Sequence, residues 1–482
     1  MKHIPILTAL LLVPLALHAA DAPQTAKPNI LVLLSDDHGY YDLGCQGCKD
    51  IPTPHIDSLA KNGVRCTSGY VTSCMCSPSR AGLLTGRSQS RFGHEINWEG
   101  HDATGQRGLP LTEKTLADHL KAAGYRTGCV GKWHLGDAAK FHPNRRGFDE
   151  FFGFTYGGHE YFCEKYVPAK DGIESYRTLL QRNGTPEPHT GYLTTVLGRE
   201  SAAFIHRHKD APWFLYAAFN APHGPLQATQ EYLNRFAGIA DEKRRTYAAM
   251  VSALDDAVGD ILNQLRADGL EQNTLVFFLS DNGGPLERNG SLNTPLNGEK
   301  GYMLEGGIRV PFLAQWKAAL PAGKIYGRPV SSLDIAATAL ALAGVPAPLD
   351  RPLDGVNLAP YLTGEKTGDP HATLFWRMKA RNTWAARAGD WKLAANNRWH
   401  DLPAGIPKPR LINLADDIGE LRDLGAQRAE KLVELQSAYD AWSAKFPEPL
   451  WTSDSSPEAV KARQERMKRQ KAKSSAKPPG QP

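Results

Sequence analysis

Four short apolar runs each end in residues able to bind ions or move protons. Asp36-Asp37-His38-Gly39 follow the first, and Lys132, Trp133 and His134 follow the second. Pro222 and His223 follow the third, and Asp281-Asn282-Gly283-Gly284 the fourth. Adjacent carboxylates repel unless a cation lies between them, and Asp with Asn oxygens is ligand chemistry for a hard ion such as Ca2+ or Mg2+. Asp36, Asp37, Asp281 and Asn282 could together form an all-oxygen cage, although each acidic pair taken singly is more often a helix cap or a turn.

The densest segment is CSPSRAGLLTGR, residues 76–87. Ser77 before Pro78 is a favourable N-cap and N1 pair, so a helix is expected there, with Cys76 just before its positive end and Arg80 one turn on. A helix N-terminus and a guanidinium would lower a thiol pKa and hold an anion. On these residues alone a reactive thiol, an anion site and a structural cysteine all stay open. Lys132 and Lys300 in isolation read as solvated charges, and His223 as a loop histidine.

The runs Asn29 to Ser35, Thr127 to Gly131, Trp213 to Asn220 and Thr274 to Ser280 have the continuous apolar character of strands covered on both faces. Helical periodicity between them is clearest over Tyr247 to Gly269, with Thr246 as the expected N-cap. The alternation predicts an α/β fold with a mixed, largely parallel central sheet flanked by helices. In such sheets ligands sit beyond the carboxyl ends of the strands, where the four polar clusters would meet. After a polar stretch at 363–371, Thr373 to Arg377 and Trp391 to Ala394 read as strands. Ala429 to Phe446 reads as a helix with Leu432, Leu435, Tyr439 and Trp442 on one face. Together they predict a smaller C-terminal α+β subdomain.

The chain has 482 residues, 41% apolar and 22% charged, with net charge +5. Residues 461–482 carry eight Lys or Arg against one Glu, so everything before them sums to −2. A near-neutral body argues against a nucleic-acid-binding domain. The organisation expected is a signal peptide over 1–20, a catalytic domain over 21–365, the subdomain over 366–452 and a basic disordered tail over 453–482. Past the leader no run is long and apolar enough to cross a membrane, so a periplasmic or secreted protein is expected. Seven cysteines are an odd number for an oxidising compartment. Cys45-x-x-Cys48 lacks a partner pair at zinc spacing and reads as a local disulfide or two buried thiols.

The string CSPSRAGLLTGR resembles the Cys-x-Pro-x-Arg signature of the formylglycine-dependent sulfatases, a branch of the alkaline-phosphatase-like superfamily. PNILVLLSDDHGYYDLGCQG, IPTPHIDSLAKNGVRCTSGYV, GYRTGCVGKWHLG, RRGFDEFFGF, FLSDNGG, NGEKGYMLEGGIRVPF and LINLADDIGELRDL are similar to that family's segments, in its order. The resemblance is broadly to arylsulfatase A and N-acetylgalactosamine-6-sulfatase relatives. The resemblance implies conversion of Cys76 to formylglycine by a maturation enzyme. One hydroxyl of the hydrated aldehyde then attacks sulfur and releases the alcohol, and deprotonation of the other expels sulfate and restores the aldehyde. It also implies that Asp36, Asp37, Asp281 and Asn282, with an oxygen of residue 76, bind Ca2+, and that Asp281 accepts the nucleophile's proton. Arg80 and Lys132 would orient the diol, and His134 would take the elimination proton. His223 and Lys300 would hold the sulfate, one of them protonating the leaving alcohol.

The implied substrate is a sulfated carbohydrate or an aryl sulfate. Loops at 88–105 and 154–190 would set specificity, and His38, His94 and His159 lie near enough to line the pocket. Other readings remain: a phosphate or phosphonate monoesterase of the same superfamily, a non-catalytic glycan-binding relative and, more distantly, a cytosolic thiol enzyme. Cys74, two residues before Cys76, departs from the family pattern and could compete for a disulfide; Cys48 is unusual beside Cys45.

Overall fold

The computed structural model describes residues 27–97, 105–168, 175–396 and 407–451. The expected signal peptide and the basic tail lie outside the described residues.

The four apolar runs form the centre of a ten-stranded mixed sheet. Its strands run in the order Lys324–Tyr326, Val64–Cys66, Phe312–Gln315, Thr274–Ser280, Asn29–Ser35, Trp213–Ala218, Arg126–Lys132, Glu150–Phe154, Gln181–Arg182 and Thr185–Pro186. The five from Thr274–Ser280 to Glu150–Phe154 are mutually parallel. Asn29–Ser35 is buried at every position, and successive side chains enter opposite cores, as the two-residue period of a strand requires. Leu31 and Leu33 pack with Val251, Leu254, Val258 and Ile261 of the long helix Glu242–Ala267. Ile30, Val32 and Leu34 pack with Ala81 and Leu84 of the helix Cys76–Thr85 on the other face. This is the α/β architecture expected from sequence.

Register decides what happens at the strand ends. Ser35 pairs with Ser280, so Asp36 and Asp281 leave the sheet side by side. Leu34 and Gly131 both align with Ala218, so Lys132 and the loop after residue 218 emerge at the same edge.

Two helix limits differ from expectation. The long helix starts at Glu242, not Tyr247, and its N-cap is Asp241, whose side chain accepts from Arg244 N; Thr246 Oγ1 instead donates to Glu242 O inside the helix. The extra turn, Glu242 to Arg245, is wholly charged, so it carries no apolar periodicity by which to recognise it. The last helix ends at Ser443 rather than Phe446. The third central strand ends at Ala218, two residues before the expected Asn220.

Leu374–Met378, Thr383–Ala388, Trp391–Ala395 and Arg410–Asn413 form a four-stranded antiparallel sheet. The helix Ala429–Ser443 covers it, stacking Tyr439 on Trp384 with ring centroids 4.1 Å apart and Trp442 on Phe375 at 5.0 Å.

Removing an N-cap carboxylate costs about 1 kcal/mol. Asp241→Ala is therefore expected to lower stability in denaturant unfolding by about that amount, and Thr246→Ala by less than about 0.5 kcal/mol, because its hydroxyl only back-bonds within the helix. Equal losses would return the cap to Thr246.

Candidate active site

Asp36 and Asp37 leave the first strand completely buried or nearly so. Asp36 Oδ2 accepts from Lys132 Nζ at 2.5 Å and lies 3.6 Å from Arg80 Nη2, while its Oδ1 is 3.6 Å from Cys76 Sγ. Asp37 Oδ1 accepts from Asn282 Nδ2 and from Lys300 Nζ, both at 2.6 Å, and its Oδ2 is 3.5 Å from His223 Nε2. Arg80 reaches Asp281 Oδ2 through Nε and Nη2, each at 2.9 Å, and its Nη1 donates to Lys132 O. Lys300 Nζ is also 3.1 Å from Cys76 Sγ. Asp36, Asp37, Arg80, Lys132, His223, Asp281, Asn282 and Lys300 thus join one network around residue 76, and the His134 backbone is tied to the helix that begins there.

That tie comes from Ser77. Its hydroxyl gives its single proton to His134 O at 2.7 Å, so the 2.7 Å contact with His94 Nε2 must be a bond that the imidazole donates. Ser77 is therefore not the expected N-cap: the helix already begins at Cys76, with Met75 at the cap position and the Ser77 N–H donating to Asn97 Oδ1. Asp37 and His134 both adopt positive φ, 61° and 58°. Such backbone costs a non-glycine residue about 1–3 kcal/mol and survives only where surroundings hold it. Asp37 N donates to Asp281 Oδ1 and Asn289 Nδ2 to Asp37 O, while His134 N donates to Thr155 O. His94, Asn97 and Asn289 escaped the sequence reading as support because no local motif surrounds them.

Electrostatics reverse one expectation. Burial, with Asp281 beside it, pushes the Cys76 thiol up to about 12, so desolvation outweighs the helix terminus and the nearby cations. Burial alone would raise the Asp37 carboxyl, but Lys300 and His223 hold it well below the usual range. Asp281 is raised by burial and by Asp36. Burial opposes the Lys300 ammonium, yet Asp37 and its neighbours raise it well above the ordinary lysine value. Burial lowers His223 to about 3 despite Asp37, and it lowers His134 strongly, aided by Lys132 and Arg80. Both imidazoles are neutral at pH 7.

Ligand atoms of Asp36, Asp37, Cys76 and His223 lie within 4.8 Å of one another. The buried Oδ1 of Asn282 has no hydrogen-bond partner among the described residues. An unpartnered amide oxygen beside a carboxylate-rich cluster suits a hard cation, so the donor set fits a divalent metal. Asp281 adjoins this cluster through Asp37 N and Arg80 rather than belonging to it. Backbone packing is equally tight: a Cβ on Gly283 would fall 1.7 Å from Gly306 O, so the segments carrying Asn282 and Lys300 touch main chain to main chain.

Of the three nearby histidines, His38 contacts Asp42 O, His94 holds Ser77, and His159 bridges Glu160 O and Thr178 O. From the 154–190 loop, Tyr176 places its ring 6.4 Å from that of His223 and 5.8 Å from Tyr156. The loop parts at 98–104 and 169–174 lie outside the described residues. All seven cysteines are free thiols, so neither the local Cys45–Cys48 disulfide nor a competing bond at Cys74 forms. Cys45 and Cys48 are only half-buried.

A family model described as Sulfatase matches residues 28–345. Human N-acetylgalactosamine-6-sulfatase is 38% identical over 408 residues, covering 80% of this chain and 75% of its own, and human arylsulfatase D is 32% identical, covering 73% and 72%. Among solved structures, Ps i-CgsB in complex with k-i-k-neocarrahexaose is 36% identical, with a TM-score of 0.82 over 92% of this chain and 98% of its own. PsFucS1 sulfatase from Pseudoalteromonas sp. is 27% identical with a TM-score of 0.73, covering 88% and 92%.

Only the thiolate alkylates, and at pH 8 a thiol with a pKa of about 12 is ionised on the order of one part in ten thousand. In native protein that retains cysteine at 76, iodoacetamide with peptide mass spectrometry is expected to label the half-buried Cys163 and to spare Cys76 until the protein is denatured. Fast labelling of Cys76 would restore the reactive-thiol reading.

Proposed function

Since this chain belongs to the sulfatase family and is a sulfuric ester hydrolase, we propose that it is an exported carbohydrate sulfatase acting through a formylglycine at position 76. The observation that carries the reading is the convergence of Asp36, Asp37, Cys76 and His223 within 4.8 Å, enclosed by Arg80, Lys132 and Lys300. The oligosaccharide complex of the similar Ps i-CgsB supports a sugar as the sulfate-bearing partner.

A thiol at about 12 is a poor nucleophile, and a sulfated cysteine or serine could not expel sulfate again. Oxidation of Cys76 to formylglycine by a maturation enzyme removes both obstacles, because one hydroxyl of the hydrate attacks and the other later ejects sulfate. A divalent metal, Ca2+ in our assignment, held by Asp36, Asp37, Asp281, Asn282 and an oxygen of residue 76, would polarise the sulfate and favour the ionised hydroxyl. The chain does the rest. Asp281, fixed by Arg80 at one oxygen and by Asp37 N at the other, would accept the proton of the attacking hydroxyl. Arg80 and Lys132 orient residue 76 and neutralise the buildup of negative charge. Neutral His134 is ready to take the second proton, and Lys300, paired with Asp37 and 3.1 Å from Cys76 Sγ, serves as a positive charge for the sulfate.

His223 is the better candidate to protonate the leaving alcohol. Its Nδ1 is 2.6 Å from Gly224 O, a carbonyl that can only accept, so the neutral ring carries its proton there and leaves Nε2 bare toward the site. An arriving sulfate anion favours protonation of Nε2.

Two experiments test this. Peptide mass spectrometry after production in a host that matures sulfatases is expected to show residue 76 about 18 Da lighter than cysteine, with hydrolysis of aryl sulfate far exceeding that of the matching aryl phosphate. Unmodified Cys76 in a competent host would sink the mechanism, and faster phosphate turnover would favour the monoesterase. His223→Ala is expected to lower kcat/KM by about 10²–10⁴ on a sugar sulfate, a typical general-acid contribution. The loss should be much smaller on a nitrophenyl sulfate, whose leaving group needs no proton. Equal losses on both would remove His223 from the acid role.

A further inference from the structure

Lys300 stands on a connection between the strands Thr274–Ser280 and Phe312–Gln315, not on a strand or helix. A charge meant to meet sulfate at one fixed place needs its backbone held. The main domain supplies part of that, since Gly301 N donates to Cys74 O at 2.9 Å and Gly283 N to Gly307 O at 3.0 Å. The C-terminal subdomain supplies another part. Met303 N donates to Asn396 Oδ1 at 2.7 Å, and Glu305 N to Glu420 Oε2 at 2.6 Å.

The Glu305 side chain is anchored in the same direction. Its Oε1 accepts from Lys392 Nζ at 2.9 Å, and its Oε2 accepts from Tyr70 at 2.5 Å and from Arg309 at 3.1 Å. Lys392 is shared with Glu420 Oε1, also at 2.9 Å, and all three residues are 0% exposed. Arg387, on the neighbouring strand, reaches the hydroxyl of Tyr70. One ammonium therefore stands between two buried carboxylates, one from each part of the protein. Nothing in this cluster touches residue 76 or the metal-ligand set.

From these contacts we infer that Lys392, with Glu420 and Asn396, is a positioning group for Lys300: the C-terminal sheet sets where the Lys300 ammonium meets residue 76. The inference rests on the reading of Lys300 as the sulfate-holding charge. Removing Lys392 leaves the buried Glu420 without its cation beside Glu305, which keeps Arg309 and Arg387, and the imbalance is released into the 298–309 connection.

The test uses the full chain. Lys392→Met is expected to raise hydrogen exchange at residues 300–306 at least ten-fold while the strand Thr274–Ser280 is unchanged. Asn396→Ala, which disturbs no charge, should do the same more weakly, and it decides the matter if Lys392→Met does not fold. On aryl sulfate, Lys392→Met should lower kcat/KM more than ten-fold, but less than two-fold when Lys300 is already Ala. Unmoved exchange at 300–306 overturns the inference, as do equal kinetic losses in both backgrounds, which mark a general weakening of the fold. Exchange needs no turnover, so an inactive wild type would count against the sulfate reading while exchange still decides the clamp.

Discussion

The carboxylates of Asp36, Asp37 and Asp281 meet the cations of Arg80, Lys132 and Lys300 where almost no water reaches, and the rest of the structure answers to that balance. A buried charge is tolerable only when paired and hydrogen-bonded, and breaking one such pair costs about 3–5 kcal/mol. The six groups come from strand ends, from a helix on one face of the sheet and from a loop. Their positions must agree closely, and parallel register with both sheet faces covered is what makes them agree. Asp37 and His134 absorb the remaining misfit as positive φ.

A second and a third buried ionic cluster join the C-terminal sheet to this centre. Glu305, Lys392 and Glu420 form one. In the other, Arg377 Nε donates to Glu95 Oε1 at 2.5 Å and Lys379 N to Glu95 Oε2, directly beside His94, which holds Ser77. Apolar packing also fastens the two parts, with Tyr70, Met75, Ile96 and Met303 against Leu374, Trp376 and Met378. Ionic contacts at these places add direction: one holds the segment whose His94 bonds Ser77, and the other holds the connection that carries Lys300.

The same burial organises the chemistry. A helix terminus favours a thiolate by up to about 2 kcal/mol in partly buried geometry, whereas burial of Cys76, with Asp281 beside it, acts in the opposite sense and prevails. The site is accordingly poor for thiol chemistry, in keeping with the proposed oxygen nucleophile beside a hard cation. His134 and His223 are held neutral by burial and Lys300 is held charged by Asp37, which suits the proposed division between proton-moving and charge-holding groups.

Much of this was legible in the chain. The apolar runs identified the central strands because a strand covered on both faces has no polar alternative, and the polar residues after them identified the site because parallel strands end together. The residues 76–87 marked a catalytic segment through their likeness to a family, not through any local rule. Tertiary structure alone decided the remainder. The turn Glu242 to Arg245 is helical because Asp241 caps it, a fact invisible to apolar periodicity. Ser77 bonds across to His134 instead of capping its own helix. The pKa of Cys76 depends on how many atoms exclude water from it, and the link between Lys392 and the Lys300 loop spans residues far apart in sequence. Sequence carries patterns of neighbours along the chain; desolvation and long-range hydrogen bonds depend on neighbours in space, and those exist only once the chain has folded.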